Sequence, residues 1–157
     1  MAGINANQVN PFLIAATKIL KEACQIDAKI GKPSLKGTQG KQDTFAINIC
    51  VTGEMQGQAM IAFDTEIACD IASRMCMMPI TQMDAISQSA ICELGNMIMG
   101  NAATVFSTQG TLIDITPPTL IRGDVIFSSM YSSSICVPVI YDDNKTIEIH
   151  VAVKGND

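Results

Sequence analysis

Apolar positions along this chain recur with two periods, one near 3.6 residues and one of 2, and these divide it into helices and strands. Residues 10 to 25 (NPFLIAATKILKEACQ) follow the helical period, with Asn10 as N-cap and Pro11 in the first turn. IDAKIGKPSL reads as extended chain broken by Gly31 and Pro33. TFAINICV, from Thr44 to Val51, alternates as a strand, and the turn GEMQG carries it into QAMIAF, predicting a hairpin. TEIACDIASRMCM predicts a short helix capped by Thr65, with Glu66 in its first turn and Pro79 ending it. A long helix follows from Thr81 or Asp84 to Ser107. After TLIDI and PPTLIRG, two strands, SSICVPVIY and TIEIHVAV, are joined by the turn DDNK.

The two halves share an order of elements. AAT at Ala15 to Thr17 leads to ID, then KPSL, then a hairpin containing ICV; AAT at Ala102 to Thr104 leads to ID, PPTL and another ICV hairpin. The pattern predicts a duplicated helix–strand–strand–strand unit, with halves at about 8–63 and 81–154 and the helix at 65–77 inserted between them. Strand runs alternating with helices give an α+β fold, an antiparallel sheet with long helices packed on one face. Length adds that residues 1–157 make one domain, large enough to bury a core.

Composition narrows the function. The chain is 48% apolar and 16% charged, without Trp, so Ile, Val, Met and Ala must fill the core. Its net charge of −5 and its lack of a Lys/Arg run exclude a nucleic acid or an anionic membrane as partner. No secretory signal or bilayer-spanning run is visible, which predicts a cytoplasmic protein. Six cysteines lie in apolar surroundings without a CxxC pair, and the single His, His150, falls in a predicted strand. They are expected to be buried, reduced thiols and not metal ligands. Six of the ten Met lie between Met75 and Met99 and are read as core filler.

The long helix departs from an ordinary packing helix. At about 100° per residue, Ile86, Ala90, Leu94, Met97, Ile98 and Val105 form the expected core arc. Ser89, Glu93, Asn96 and Gly100, spaced four, three and four apart, line up outside it as one ridge. Under the AAT alignment Glu93 and Asn96 correspond to Ala6 and Val9, so the polar pair belongs to one half only. Gly95 and Gly100 each cost the helix roughly 1 kcal/mol relative to Ala, so something else favours them. Gly95 lies off the ridge and suits close packing; Gly100 lies on it and lets another backbone approach. Asn101 points toward the apolar arc and is expected to be a satisfied structural amide. Asp114 and Asp124 suit strand-end and turn positions.

A Glu three residues before an Asn is no two-carboxylate glycosidase pair, no base accompanies Ser89, and no phosphate-binding Gly loop is present. A carboxamide, however, donates and accepts at once and can hold a water in line with a phosphoryl group. The phosphoryl group would have to come from another protein, with Glu93 pairing a cation there.

Ser89-x3-Glu93-x2-Asn96-x3-Gly100, on a helix followed by Pro117, Pro118 and Gly123, resembles the CheC/CheX/FliY family of chemotaxis phosphatases. The single motif, with NPFLIAATKIL and GKPSL, is most like the CheX branch. That resemblance implies an aspartyl-phosphate phosphatase acting on a phosphorylated CheY-type receiver. Asn96 would orient the attacking water, Glu93 would pair with the receiver's active-site Lys, and Ser89 and Gly100 would line the contact. Mg2+ would sit in the receiver, with no cofactor bound by this chain. The resemblance also implies a homodimer formed through the sheets, for which the TIEIHVAV strand is the candidate edge. The rival reading is a non-catalytic adaptor of the flagellar switch or a two-component pathway.

Overall fold

Where the side-chain period is 2 the chain forms strands, and where it is 3.6 it forms helices, across the described residues 4–35, 44–123 and 133–154 of a computed structural model. The order is α1 (Ala6–Cys24), β1 (Lys29–Ile30), β2 (Thr44–Gly53), β3 (Gly57–Asp64), α2 (Thr65–Cys76) and α3 (Ala85–Thr108). Then come β4 (Ile113–Ile115), β5 (Thr119–Gly123), β6 (Ser133–Tyr141) and β7 (Lys145–Val153). Asp124 lies outside the described residues.

All pairings are antiparallel, in the order β1-β6-β7-β3-β2-β4, with β5 also paired to β2. The halves exchange partners. β1 of the first half pairs with β6 of the second, while β4 and β5 of the second half share one edge of β2. The hairpins meet along β3 and β7, with Ile61 opposite Ile149. β7 therefore lies between β6 and β3, both its ladders occupied, and is not the open edge expected for the last strand.

The three helices cover one face. Phe12, Leu20, Ile71, Ile91 and Leu94 pack with Phe45, Ile47, Ile149 and Val151, all nearly inaccessible; each such side chain stabilises the fold by about 1.5–3 kcal/mol. Phe12 and Phe106 meet edge to face at 5.3 Å and join α1 to α3. α2 is tied to the β6–β7 turn by polar bonds: the Tyr141 hydroxyl donates to Asp70 at 2.7 Å, and Arg74 reaches Asp142 at 2.8 Å.

Helix starts differ from expectation by local chemistry. α1 begins at Ala6 because Asn5 and Gln8 form a reciprocal capping box, leaving Pro11 inside the helix and Asn10 within it. α2 is capped by Asp64, whose carboxylate accepts from the Ile67 amide, and not by Thr65. It ends at Met77 in the left-handed conformation (φ 56°), before Pro79 is reached. Of the clustered methionines, Met83 and Met99 are buried, but Met77 and Met78 are exposed.

Candidate functional site

α3 is set in place from its first turn. The Asp84 carboxylate accepts from the Ser87 amide at 2.9 Å and from the Ser87 hydroxyl at 2.6 Å, and these bonds hold Asp84 below the usual carboxylate range. Ser87 is thereby buried without an orphaned hydroxyl. The core face of the helix is Ser87, Ile91, Leu94, Gly95, Ile98, Met99, Ala102 and Phe106. Leu94 and Ile98 stand where the apolar period predicts. Ile86 does not: it is 71% exposed, while Ala90, Met97 and Val105 are half-buried. The buried arc is turned because Ser87 and Gly95, neither of them apolar side chains, occupy it.

Gly95 fixes the depth of the helix. A Cβ there would lie 2.7 Å from Ile47 Cγ2, so only a bare Cα lets α3 press onto β2. The opposite side of the helix then faces outward. Ser89, Glu93, Asn96 and Gly100 are all exposed, in line along it, and a Cβ at Gly100 would meet nothing within 4 Å.

The ridge has a wall beside it. Ser89, Cys92, Glu93 and Asn96 line an open groove of about 490 Å³ with Ile115 at the end of β4 and Thr116, Pro117 and Pro118 of the β4–β5 connection. Thr116 pins that connection to β2: its hydroxyl accepts from the Cys50 amide at 2.9 Å, and its amide donates to the Cys50 carbonyl at 3.0 Å. Two consecutive prolines stiffen the chain that follows. The sequence ridge thus proves to be one side of a cleft, and the prolines its other side.

Asn101 is not the satisfied amide expected. Its Oδ1 is buried without a hydrogen-bond partner among the described residues. Asp114 lies within β4, opposite Thr52. The thiols are unpaired, but only Cys24 and Cys136 are fully buried, and Cys50 is exposed. Burial pushes Cys24 up to about 11 and, with the nearby Glu148 charge, Cys136 up to about 12.

Among the groove's lining residues Glu93 is the one carboxylate, and no His, Lys or Arg faces it. The cleft therefore offers a carboxylate and a carboxamide on a rigid rim, able to bind and orient, with no nucleophile–base pair of its own. Residues 45–139, which carry the ridge and both prolines, match the family model "Chemotaxis phosphatase CheX". The chain belongs to the CheX family. It is 28% identical to the CheY-P phosphatase CheX of Thermotoga maritima over 153 residues, which is 97% of this chain and 99% of that protein. CheX of Borrelia burgdorferi, in a crystal structure of the CheX–CheY–BeF3–Mg2+ complex, is 29% identical with a TM-score of 0.80, covering 94% of this chain and 98% of that one. A CheC-like superfamily protein of Shewanella sp. PV-4 shares the fold at a TM-score of 0.86 and 23% identity, over 97% of this chain and 100% of that one. The CheX fold is the mixed helix and antiparallel sheet arrangement read from the sequence. No helix among the described residues is long and apolar enough to cross a membrane.

Proposed function

We propose that this chain removes phosphate from the aspartyl phosphate of a CheY-type receiver, using Asn96 to place the water and Glu93 to set the register. One observation carries the reading: Glu93 and Asn96 are both exposed, one turn apart on the rim of a stiff groove, where they can enter another protein's pocket. The Asn96 carboxamide oxygen accepts from the attacking water while its N–H2 remains free to donate. Water oxygen bonds to phosphorus, the bond from phosphorus to the aspartyl oxygen breaks, and inorganic phosphate and the receiver's carboxylate are released. Glu93 pairs with the receiver's active-site lysine, an interaction that gains strength when docking dries it. Mg2+ is supplied by the receiver, since one exposed carboxylate is no magnesium cage.

The Thermotoga protein's activity and the Borrelia complex support this reading of the partner. Ser89 and Gly100 extend the contact at either end of the ridge. The protein acts in the cytoplasm as a homodimer, but pairing along β7 is blocked by β6 and β3, so any dimer uses another surface.

The test is the decay of radiolabelled phospho-receiver with catalytic amounts of this chain. Multiple turnovers are expected, with Asn96→Ala abolishing the acceleration yet still binding the receiver. Glu93→Lys weakens binding first. One-for-one protection of the phosphate would instead mark an adaptor, and a retained rate in Asn96→Ala would remove that residue's role.

A further inference from the structure

On the sheet face away from the helices, three side chains with metal-binding chemistry meet. Strand alternation sends Ile147, Ile149 and Val151 of β7 into the helix-covered core and turns Glu148 and His150 the other way. Cys136 of β6 is the register partner of His150, so the two side chains stand beside each other across the ladder. Glu148, two residues before His150, shares their face. Cys136 and His150 are almost wholly buried, while the Glu148 side chain keeps 18% of its surface in contact with solvent.

The spacing fits one ion. His150 Nε2 lies 3.7 Å from Cys136 Sγ and 3.3 Å from Glu148 Oε1, and the three donor atoms are within 4.8 Å of one another. Zinc bonds of about 2.3 Å to sulfur and about 2.0–2.1 Å to nitrogen or oxygen, at tetrahedral angles, separate sulfur from nitrogen by about 3.6 Å and nitrogen from oxygen by about 3.3 Å. The two separations from His150 Nε2 match that tetrahedron, and the third, from Cys136 to Glu148, lies within 4.8 Å and closes to the required ~3.6 Å by turning the partly exposed Glu148 side chain. A thiol, an imidazole and a carboxylate together suit a borderline metal of the zinc type and are wrong for Mg2+ or Ca2+, which prefer oxygen alone.

We propose that Cys136, Glu148 and His150 form a zinc-type metal site that clamps β6 to β7, separate from the phosphatase groove. Binding displaces the thiol proton, takes His150 as neutral imidazole through Nε2, and leaves the fourth position to solvent on the Glu148 side. The ligands come from facing strands, at positions 136, 148 and 150, and so produce none of the short spacings by which metal sites are found in sequences. This departs from the sequence reading, in which no residue of this chain ligates a metal.

Reduced protein, stripped with a chelator, is titrated with Co2+ and then with Zn2+. One equivalent of Co2+ is expected to give tetrahedral d–d absorption and a single thiolate-to-cobalt charge-transfer band, both erased by one equivalent of Zn2+. Cys136→Ser removes the charge-transfer band and weakens Co2+ binding roughly tenfold or more, while Cys50→Ser, at the exposed thiol, changes neither. His150→Gln weakens binding to a similar extent. X-ray absorption of the zinc-loaded wild-type protein needs no variant and should show one sulfur at about 2.3 Å with nitrogen and oxygen at about 2.0–2.1 Å. Absence of a one-to-one complex, a charge-transfer band surviving in Cys136→Ser, or a zinc shell with no sulfur or several overturns the site. None of these readouts depends on phosphatase activity.

Discussion

Gly95 on α3 and Ile47 on β2 are in such close contact that a single added methyl would lie 2.7 Å from Ile47 Cγ2 and 3.2 Å from its Cδ1. Ile47 is fully buried and stiff at χ1, so it has nowhere to retreat. Gly95→Ala gains about 1 kcal/mol of helix propensity but overpacks a tight core, which costs typically 1–3 kcal/mol. Net destabilisation of up to about 2 kcal/mol is expected in urea unfolding. Phosphatase activity should fall further than stability does, because the same contact sets how far the ridge projects. A gain of the full ~1 kcal/mol of helix propensity would show that α3 can lift off β2 without cost.

Gly100, five residues on, is the opposite case, since a Cβ there would touch nothing. Gly100→Ala is therefore expected to raise stability by about 0.5–1 kcal/mol. If the glycine is retained for close approach of a receiver backbone, the same variant should bind phospho-receiver more weakly and raise the half-saturating receiver concentration several-fold. A stabler protein with unaltered kinetics would strip Gly100 of its place in the interface.

The two glycines show what was legible in the sequence. The exposed ridge could be read because four polar or bare positions share one helical line, and helix geometry needs no tertiary knowledge. The buried arc departs from the apolar pattern at Ile86 because hydrophobicity alone marks no place for Ser87, whose hydroxyl is satisfied by Asp84, or for Gly95, whose missing side chain is replaced by Ile47. Asn10–Pro11 imitates a helix start; the true one, Asn5 with Gln8 three residues later, has no apolar run immediately after it to draw attention. β7 reads as an edge because it comes last, whereas its pairing with β3, which joins the two hairpins, puts it inside the sheet. Groove walls and cross-strand clusters depend on register, which hydrophobic patterning does not reveal.

Ile86 illustrates how a misplaced core residue becomes a functional candidate. It is 71% exposed and precedes Ser89 by three residues, so it continues the line of Ser89, Glu93 and Asn96. An apolar side chain at the end of a polar ridge suits an anchor that dries the contact around Glu93. Ile86→Asp should leave the unfolding free energy within about 0.5 kcal/mol of wild type, as surface changes usually do. The half-saturating receiver concentration should rise at least several-fold with little change in the maximal rate. A loss confined to the maximal rate would place Ile86 outside the docking surface.

The Tyr141–Asp70 bond gives the fold a pH dependence of known sign. Burial pushes the Asp70 carboxyl up, but the Tyr141 hydroxyl, Arg74 and Lys145 outweigh it and hold the group below its ordinary value of 3.8. A carboxylate whose folded value is depressed stabilises the fold fully above its unfolded value, and that stabilisation disappears as pH falls through the folded value. Asp70→Asn keeps an acceptor for Tyr141 but loses the charge facing Arg74 and Lys145, at 3.3 Å and 3.5 Å. At neutral pH the variant should be less stable by about 1–2 kcal/mol. The gap should close as the pH is lowered below the ordinary carboxylate range, where the wild-type carboxyl also becomes neutral. Urea unfolding of both proteins across that range checks it. Parallel stability curves would mean that the depressed carboxyl belongs to another residue, and that Asp70 holds α2 by its hydrogen bond alone.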